Sequence, residues 1–231
     1  VTGNDEGGTA MTQTVAEYLA ETKASGAVSE ELFRAYADSD VSKFSSWGIW
    51  GKTIGDLSVF DTEHKPWERL RSDVLLMGGN AGKSKDGKEL KKFENFHTAG
   101  HAPDGILRSA LAGLPIEGAY LSDIVKGAPT KDAPELLRAL SNGDVEFPSK
   151  VVGPLRAELE VLEMPERVLV ILLGDKTVTV WDKVYPHLPP ELASRLTVVT
   201  GVRHHSGGGS PRATLEALLA DRLEDRIYVP A

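Results

Sequence analysis

Apolar and polar positions follow two rhythms along this chain. Mostly apolar runs stand at 73–77, 118–125, 168–173 and 196–200, the third of them unbroken, and between them leucines and alanines recur every three or four residues. Short apolar runs of that kind read as strands covered on both faces, as in a parallel sheet. The intervening stretches predict helices at 104–112, 133–140, 153–164 and 177–185, and a terminal helix at 211–223. In the first of these, Ile106, Leu107, Ala110 and Leu111 keep helical spacing behind Asp104 as N-cap. Upstream, 14–23 and 29–37 predict two more helices, the second opened by Ser29 with Glu30 and Glu31. Residues 41–67 are irregular and hold Trp47, Trp50 and Trp67, while 227–229 predicts a short edge strand.

This alternation predicts an α/β fold: a three-layer α/β/α domain with a central, mostly parallel four-stranded sheet and an N-terminal helical extension. The expected organisation is a disordered N-terminus over 1–12 and a single domain over 13–231, of which 13–70 is the helical and irregular part.

Composition narrows the class. The 231 residues suffice to bury a large core. No run approaches the roughly 18 apolar residues of a membrane span, and the segment VTGNDEGGTAMTQT has no basic region followed by an apolar one, so neither a membrane nor a secretory signal is expected. The absence of cysteine excludes disulfides and thiolate metal sites and fits a cytoplasmic protein. A net charge of −8 argues against non-specific coating of nucleic acid, which phosphate neutralisation drives. Charge is uneven, however. Lys83, Lys85, Lys88, Lys91 and Lys92 cluster, as do Arg203, His204, His205 and Arg212, so a local positive face is compatible with an acidic whole.

Candidate chemistry sits where the strands end. Gly78-Gly79-Asn80-Ala81-Gly82 follows the first strand, Ser122-Asp123 with Lys126 closes the second, and Arg203-His204-His205-Ser206 with three glycines and Arg212 follows the fourth. A parallel sheet brings all three groups to one rim, where ligands bind in open α/β folds. An amide, a carboxylate and a histidine converging there define a candidate active site.

The order of these motifs resembles the uracil-DNA glycosylase superfamily. Gly78-Gly79-Asn80-Ala81-Gly82 is similar to its water-activating Gly-x-Asn-Pro-Gly, with Ala81 in place of proline. Ala119 to Lys126 resembles its Tyr-x-Thr-Asn-x-x-Lys segment, with Asp123 in place of asparagine. His204-His205-Ser206 with Arg212 resembles its His-Pro-Ser motif and following arginine. The resemblance implies hydrolysis of the N-glycosidic bond of a damaged or deaminated base in DNA, single- or double-stranded, with the base flipped into a pocket. It implies a monomer without metal or organic cofactor. By the same resemblance Asn80 positions water through its donor and acceptor ends, His204 donates to the departing base, and Phe96 stacks on the base with Phe93 as competitor. Gly78 and Gly79 allow close backbone approach, Asp123 reads the base edge, and Ser206 with Gly207–Gly209 holds a phosphate. An ionised aspartate only accepts, so Asp123 suits an exocyclic amine and repels uracil O4. Weak or absent uracil excision is expected unless Asp123 is protonated or another residue reads the base.

Plainer roles exist for each residue. Asn80 is a common turn residue, Phe96 a common core residue and Asp123 a common helix cap. Among the histidines, His97 and His101 alone have metal-ligand spacing, in a loop that does not favour zinc. Gly82-Lys83-Ser84 mimics the end of a phosphate-binding loop, and 168–175 a strand ending in a magnesium-binding aspartate, but Met77 stands where that loop needs its first glycine. No Gly-x-Ser-x-Gly elbow is present for a serine hydrolase. A non-catalytic nucleic-acid- or protein-binding module on the same fold remains the third class.

Overall fold

The computed structural model describes residues 13–81, 90–128, 130, 132–206 and 210–230. The chain opens with α1 (Val15–Thr22), started by a capping box between Thr14 and Glu17, and α2 (Glu30–Asp38), whose N-cap Ser29 accepts from the Leu32 N–H at 3.1 Å. β1 (Ser46–Trp47) and β2 (Arg71–Ala81) follow, then α3 (Ala102–Leu111), β3 (Ala119–Lys126), α4 (Ala133–Asn142), α5 (Gly153–Val161), β4 (Val168–Leu173), α6 (Asp175–Val184), α7 (Pro190–Ala193), β5 (Leu196–Val202) and α8 (Pro211–Ala220).

The fold is α/β, as the alternation predicts, but the sheet has five strands rather than four, in the order β1-β3-β2-β4-β5. The four expected strands are the parallel ones, β3-β2-β4-β5. The fifth, β1, adds two antiparallel pairs, Ser46 with Leu121 and Trp47 with Tyr120, and is too short to show a period. The edge strand expected at 227–229 reduces to one bridge between Ile227 and Val199.

Side-chain alternation along the strands builds two cores. Val74, Leu76, Leu169 and Ile171 face Leu19 of α1, Leu107 and Leu111 of α3, and Leu215 and Leu218 of α8. Leu75, Met77, Val170 and Leu172 face Leu136 of α4, Leu155 and Leu159 of α5, and Val180 and Trp181 of α6. All six residues of β4 are buried, which explains its unbroken apolar run. The helix leaving β2 therefore covers one face and the helix leaving β4 the other. The carboxyl ends of these two neighbouring strands form a topological switch point, where α/β sheets open a crevice.

Two helix starts differ from expectation. α3 begins at Ala102 with His101 in the N-cap position, so Asp104 lies in the first turn rather than at the cap. Pro103 belongs in that first turn, where its missing N–H costs nothing. α6 begins at Asp175 because Gly174 turns at φ 90° straight from β4 into the helix.

A polar network crosses the α5-side core. Lys126, 5 % exposed, pairs with the fully buried Glu158 at 2.9 Å and also donates to Ser122 Oγ and the Asp123 carbonyl. Ser122 and Tyr120 donate to the same Glu158 Oε1. Removing one member of a buried ion pair strands the other charge. Lys126→Met is expected to destabilise the fold by about 3–5 kcal/mol in denaturant titrations, with most of the loss recovered by adding Glu158→Leu. An unchanged midpoint for the single variant would show that the pair is solvated.

Candidate functional site

The carboxyl ends of the parallel strands open into a cleft of about 940 Å³. β2 contributes Gly78, Gly79 and Asn80, and β3 contributes Asp123. The β4–α6 turn adds Gly174 to Thr177, and the segment after β5 adds Arg203 to Ser206. The loop before α3 supplies Asn95, Phe96 and Thr98, and the α3 start supplies His101 and Asp104. Seven of the eight residues expected at the site thus line one cavity: Gly78, Gly79, Asn80, Phe96, Asp123, His204 and Ser206.

Arg212 is the exception. Its Nε bonds Glu216 at 2.6 Å one turn along α8, and its Nη1 donates to the carbonyls of Ala110 and Ala112. It ties α8 to the end of α3 and does not line the cleft. Gly82, Lys83, Lys85, Lys88 and Gly207–Gly209, expected to hold a phosphate, lie outside the described residues. β2 stays extended through Ala81, paired with β3 at Asn80–Val125 and Ala81–Lys126, so residues 77–81 do not curl as a phosphate loop must.

Asp123 is buried at 5 % exposure on the cleft floor. Asn95 Nδ2 donates to its Oδ2 at 2.9 Å, and the Asn80 backbone N–H also bonds its carboxylate. Burial pushes its acidity to about 6, against the opposing pull of Asn95 and Lys126. Gly78 faces it, and a Cβ there would overlap Asp123 Oδ1. The bare Cα of Gly78 thus makes room for a carboxylate of the chain itself, not for a ligand as the sequence suggested. At Gly79 a Cβ would meet, among the described residues, only Thr177 Oγ1 and Val180 Cγ2, both at 3.9 Å.

Asn80 donates through Nδ2 to the Thr130 carbonyl, while its buried Oδ1 has no partner among the described residues. Its unpaired group is therefore an acceptor closed in beside the cleft, where the sequence suggested a balanced donor and acceptor. His204 Nδ1 accepts the Ser206 N–H at 3.1 Å and lies 2.7 Å from Ser206 Oγ. Burial, then the charge of Lys176, holds His204 below the usual imidazole range. The ring is neutral with its proton on Nε2, the tautomer that donates. Gly174 lets the backbone pass, since a Cβ there would sit 2.6 Å from His204 Cβ. His205 stacks on His204 at 4.3 Å, and burial with the fields of His204 and His101 lowers it to about 3.

The Phe96 ring, 6 % exposed, lies 6.0 Å from that of His205. Phe93 instead stacks on Phe33 and Phe60 at 5.8 and 4.5 Å, inside the α2-side core, which removes it as the base platform. His97 and His101 do not share a ligand position. His97 Nε2 bonds the Trp47 carbonyl at 3.1 Å and burial lowers it to about 4, whereas His101 pairs with Asp104. Among the described residues no group of three or more His, Cys, Asp or Glu is placed to hold a metal ion. Sequence reasoning missed Asn95, His101 and Lys176 as cleft residues. The signal for Asn95 was its place beside Phe96, and for His101 its three-residue spacing from Asp104.

Two outcomes test this geometry. Gly78→Ala is expected to cost about 1–3 kcal/mol by overpacking, whereas Gly79→Ala stays within about 0.5 kcal/mol; equal midpoints would place the Asp123 carboxyl elsewhere. The second concerns pH. Asp123 holds its proton more tightly in the fold (about 6) than its ordinary 3.8, so its contribution to stability falls as pH rises from about 4 to 6. The lowered His97 and His205 act with the opposite sign, losing stability as pH falls. Subtracting the profile of Asp123→Asn from that of the wild type cancels both. Between pH 4 and pH 7 the difference is expected to fall by an amount on the order of 3 kcal/mol, and a flat difference would mean a solvated carboxyl.

Comparisons with protein-family models, with curated proteins and with solved structures found no match to this chain, so the chemistry of the cleft is read from its own side chains.

Proposed function

We propose that this chain hydrolyses the N-glycosidic bond of a damaged or deaminated base in DNA. One observation carries the proposal: Asn80, Phe96, Asp123 and His204, far apart in sequence and each of a type such a reaction uses, line one cleft. The cavity of about 940 Å³ has room for a flipped nucleotide. Phe96 supplies an apolar wall for the base face. His204 Nε2–H is a donor fixed by its Ser206 bonds, suited to the charge that grows on the departing base. Asn80 Oδ1 is an acceptor suited to orienting water.

Asp123 narrows the substrate. Above about pH 6 it is a carboxylate, and its Oδ2 already accepts from Asn95. A base edge bearing an exocyclic amine supplies the donor that a carboxylate needs, whereas the O4 of uracil repels it. The proposed enzyme works as a cytoplasmic monomer without metal or organic cofactor. No helix among the described residues is long and apolar enough to cross a membrane.

A second reading, a non-catalytic nucleic-acid-binding module on the same fold, draws on Asn95. Its bond closes one face of Asp123, as a purely structural carboxylate requires.

Labelled oligonucleotides carrying uracil, hypoxanthine, xanthine and amine-bearing or alkylated bases, treated with alkali after incubation, separate the two. Excision of an amine-bearing base is expected, rising with pH through about 6 as Asp123 ionises. Asn80→Ala or His204→Ala is expected to lower it about a hundredfold. No strand cleavage on any substrate would leave the binding module.

A further inference from the structure

The proposed hydrolysis lacks a proton acceptor among the residues given a role in it so far. The Asn80 amide is no base. His204 carries its proton on Nε2 and has Nδ1 engaged by Ser206. His205 is buried beneath it, and Asp123 is held by Asn95 and the Asn80 amide.

A side-chain pair at the start of α3 fills the gap. Asp104, 3 % exposed, accepts the Thr98 backbone N–H on Oδ2 at 2.8 Å and the His101 Nδ1–H on Oδ1 at 2.8 Å. Both residues line the cleft, and the His101 side chain is 43 % exposed. With Nδ1 donating to a fixed carboxylate, the Nε2 lone pair is the free nitrogen, and no partner occupies it among the described residues. A buried carboxylate that fixes the tautomer of an imidazole lining a cleft, with the other nitrogen unpartnered, is a general-base arrangement.

We infer that His101, oriented by Asp104, is the base that deprotonates the attacking water, an inference that rests on the glycosidic hydrolysis proposed above. The water oxygen bonds to the sugar C1′ as the C1′–N bond breaks and its electron pair leaves with the base. One water proton passes to His101 Nε2, and His204 donates a hydrogen bond to the departing base. The His101 imidazolium then returns its proton to the released base, leaving an abasic sugar with a C1′ hydroxyl and a neutral His101. His101 is the catalytic residue and Asp104 a positioning residue.

The experiment uses the full chain and the best-excised oligonucleotide of the panel above. His101→Ala and His101→Gln are expected to lower kcat at least about a hundredfold with KM for the oligonucleotide unchanged. Added imidazole is expected to restore a measurable part of the His101→Ala rate, which also shows that the variant is folded. Asp104→Asn is expected to lower kcat about tenfold at unchanged KM. An active wild type whose rate survives His101→Ala, or a loss that imidazole does not restore, overturns the base while the glycosylase reading stands. A wild type inactive on every substrate overturns both.

Discussion

Gly78 opposite Asp123 is the contact on which the cleft depends. The two residues are register partners in the parallel pair of β2 and β3. Their pairing puts a carboxyl on the sheet's end, where it occupies space that a side chain on Gly78 would fill. A slip of one residue would turn the alternating core side chains of β2 to the wrong faces, so the packing of two helical layers enforces this register. The fold therefore fixes the position of a buried acid whose ionised form burial disfavours. Such local cost within an otherwise consistent fold is what a functional site looks like.

The aromatic wall of the cleft depends on a different part of the chain. Phe93 and Phe96 both adopt left-handed backbone, φ 62° and 63°, which bulky residues avoid at a cost on the order of 1 kcal/mol each. Residues 42–50 hold them there. The Ser42 carbonyl takes the Phe93 N–H at 2.7 Å, Ser46 Oγ donates to the Phe93 carbonyl, and Trp50 Nε1 donates to the Phe96 carbonyl. Asn95 bridges the Phe44 carbonyl and Asp123 with one amide nitrogen. The irregular tryptophan-bearing segment thus serves as the scaffold that aims Phe96, and the two-residue β1 anchors that scaffold to the sheet.

Residues governed by local periodicity were legible in the sequence. The strand at 168–173 coincides with β4 because burial on both faces makes its apolar run continuous. Ser29 capped α2 as read, since a cap is a local bond. The rim position of Asn80, Asp123 and His204 followed from parallel strands alone. What the sequence hid is set by contacts across the fold. Arg212 looked like a binding residue until α3 came to lie beside α8, and Glu158 gave no hint of its pair with Lys126. Gly78 was read as space for a ligand because its register partner is not visible in one strand. His101 was hidden because its partner Asp104 looked like a cap.

Charge constrains how a polyanion meets this cleft. Asp104, Asp123, Asp132 and Asp175 line it, opposed by Lys176 and Arg203, and burial keeps His204 and His205 from adding positive charge. A phosphate is repelled from such a floor, whereas a neutral base is not. Lys176, Arg203 and Ser206 are exposed and line the cleft after the ends of β4 and β5, which makes the outer edge on that side the more favourable position for a phosphate. On the proposed reading a nucleotide enters base first, its backbone held at that edge while the base reaches Phe96 and Asp123. The net charge of −8 leaves little attraction for intact duplex, so discrimination falls to the energy of unstacking. That energy is least for a mispaired, damaged or already single-stranded base. On that proposed reading an acidic protein of this kind would select bases that are already loose, and the carboxylate at the bottom of the cleft would then sort them by the donors they carry.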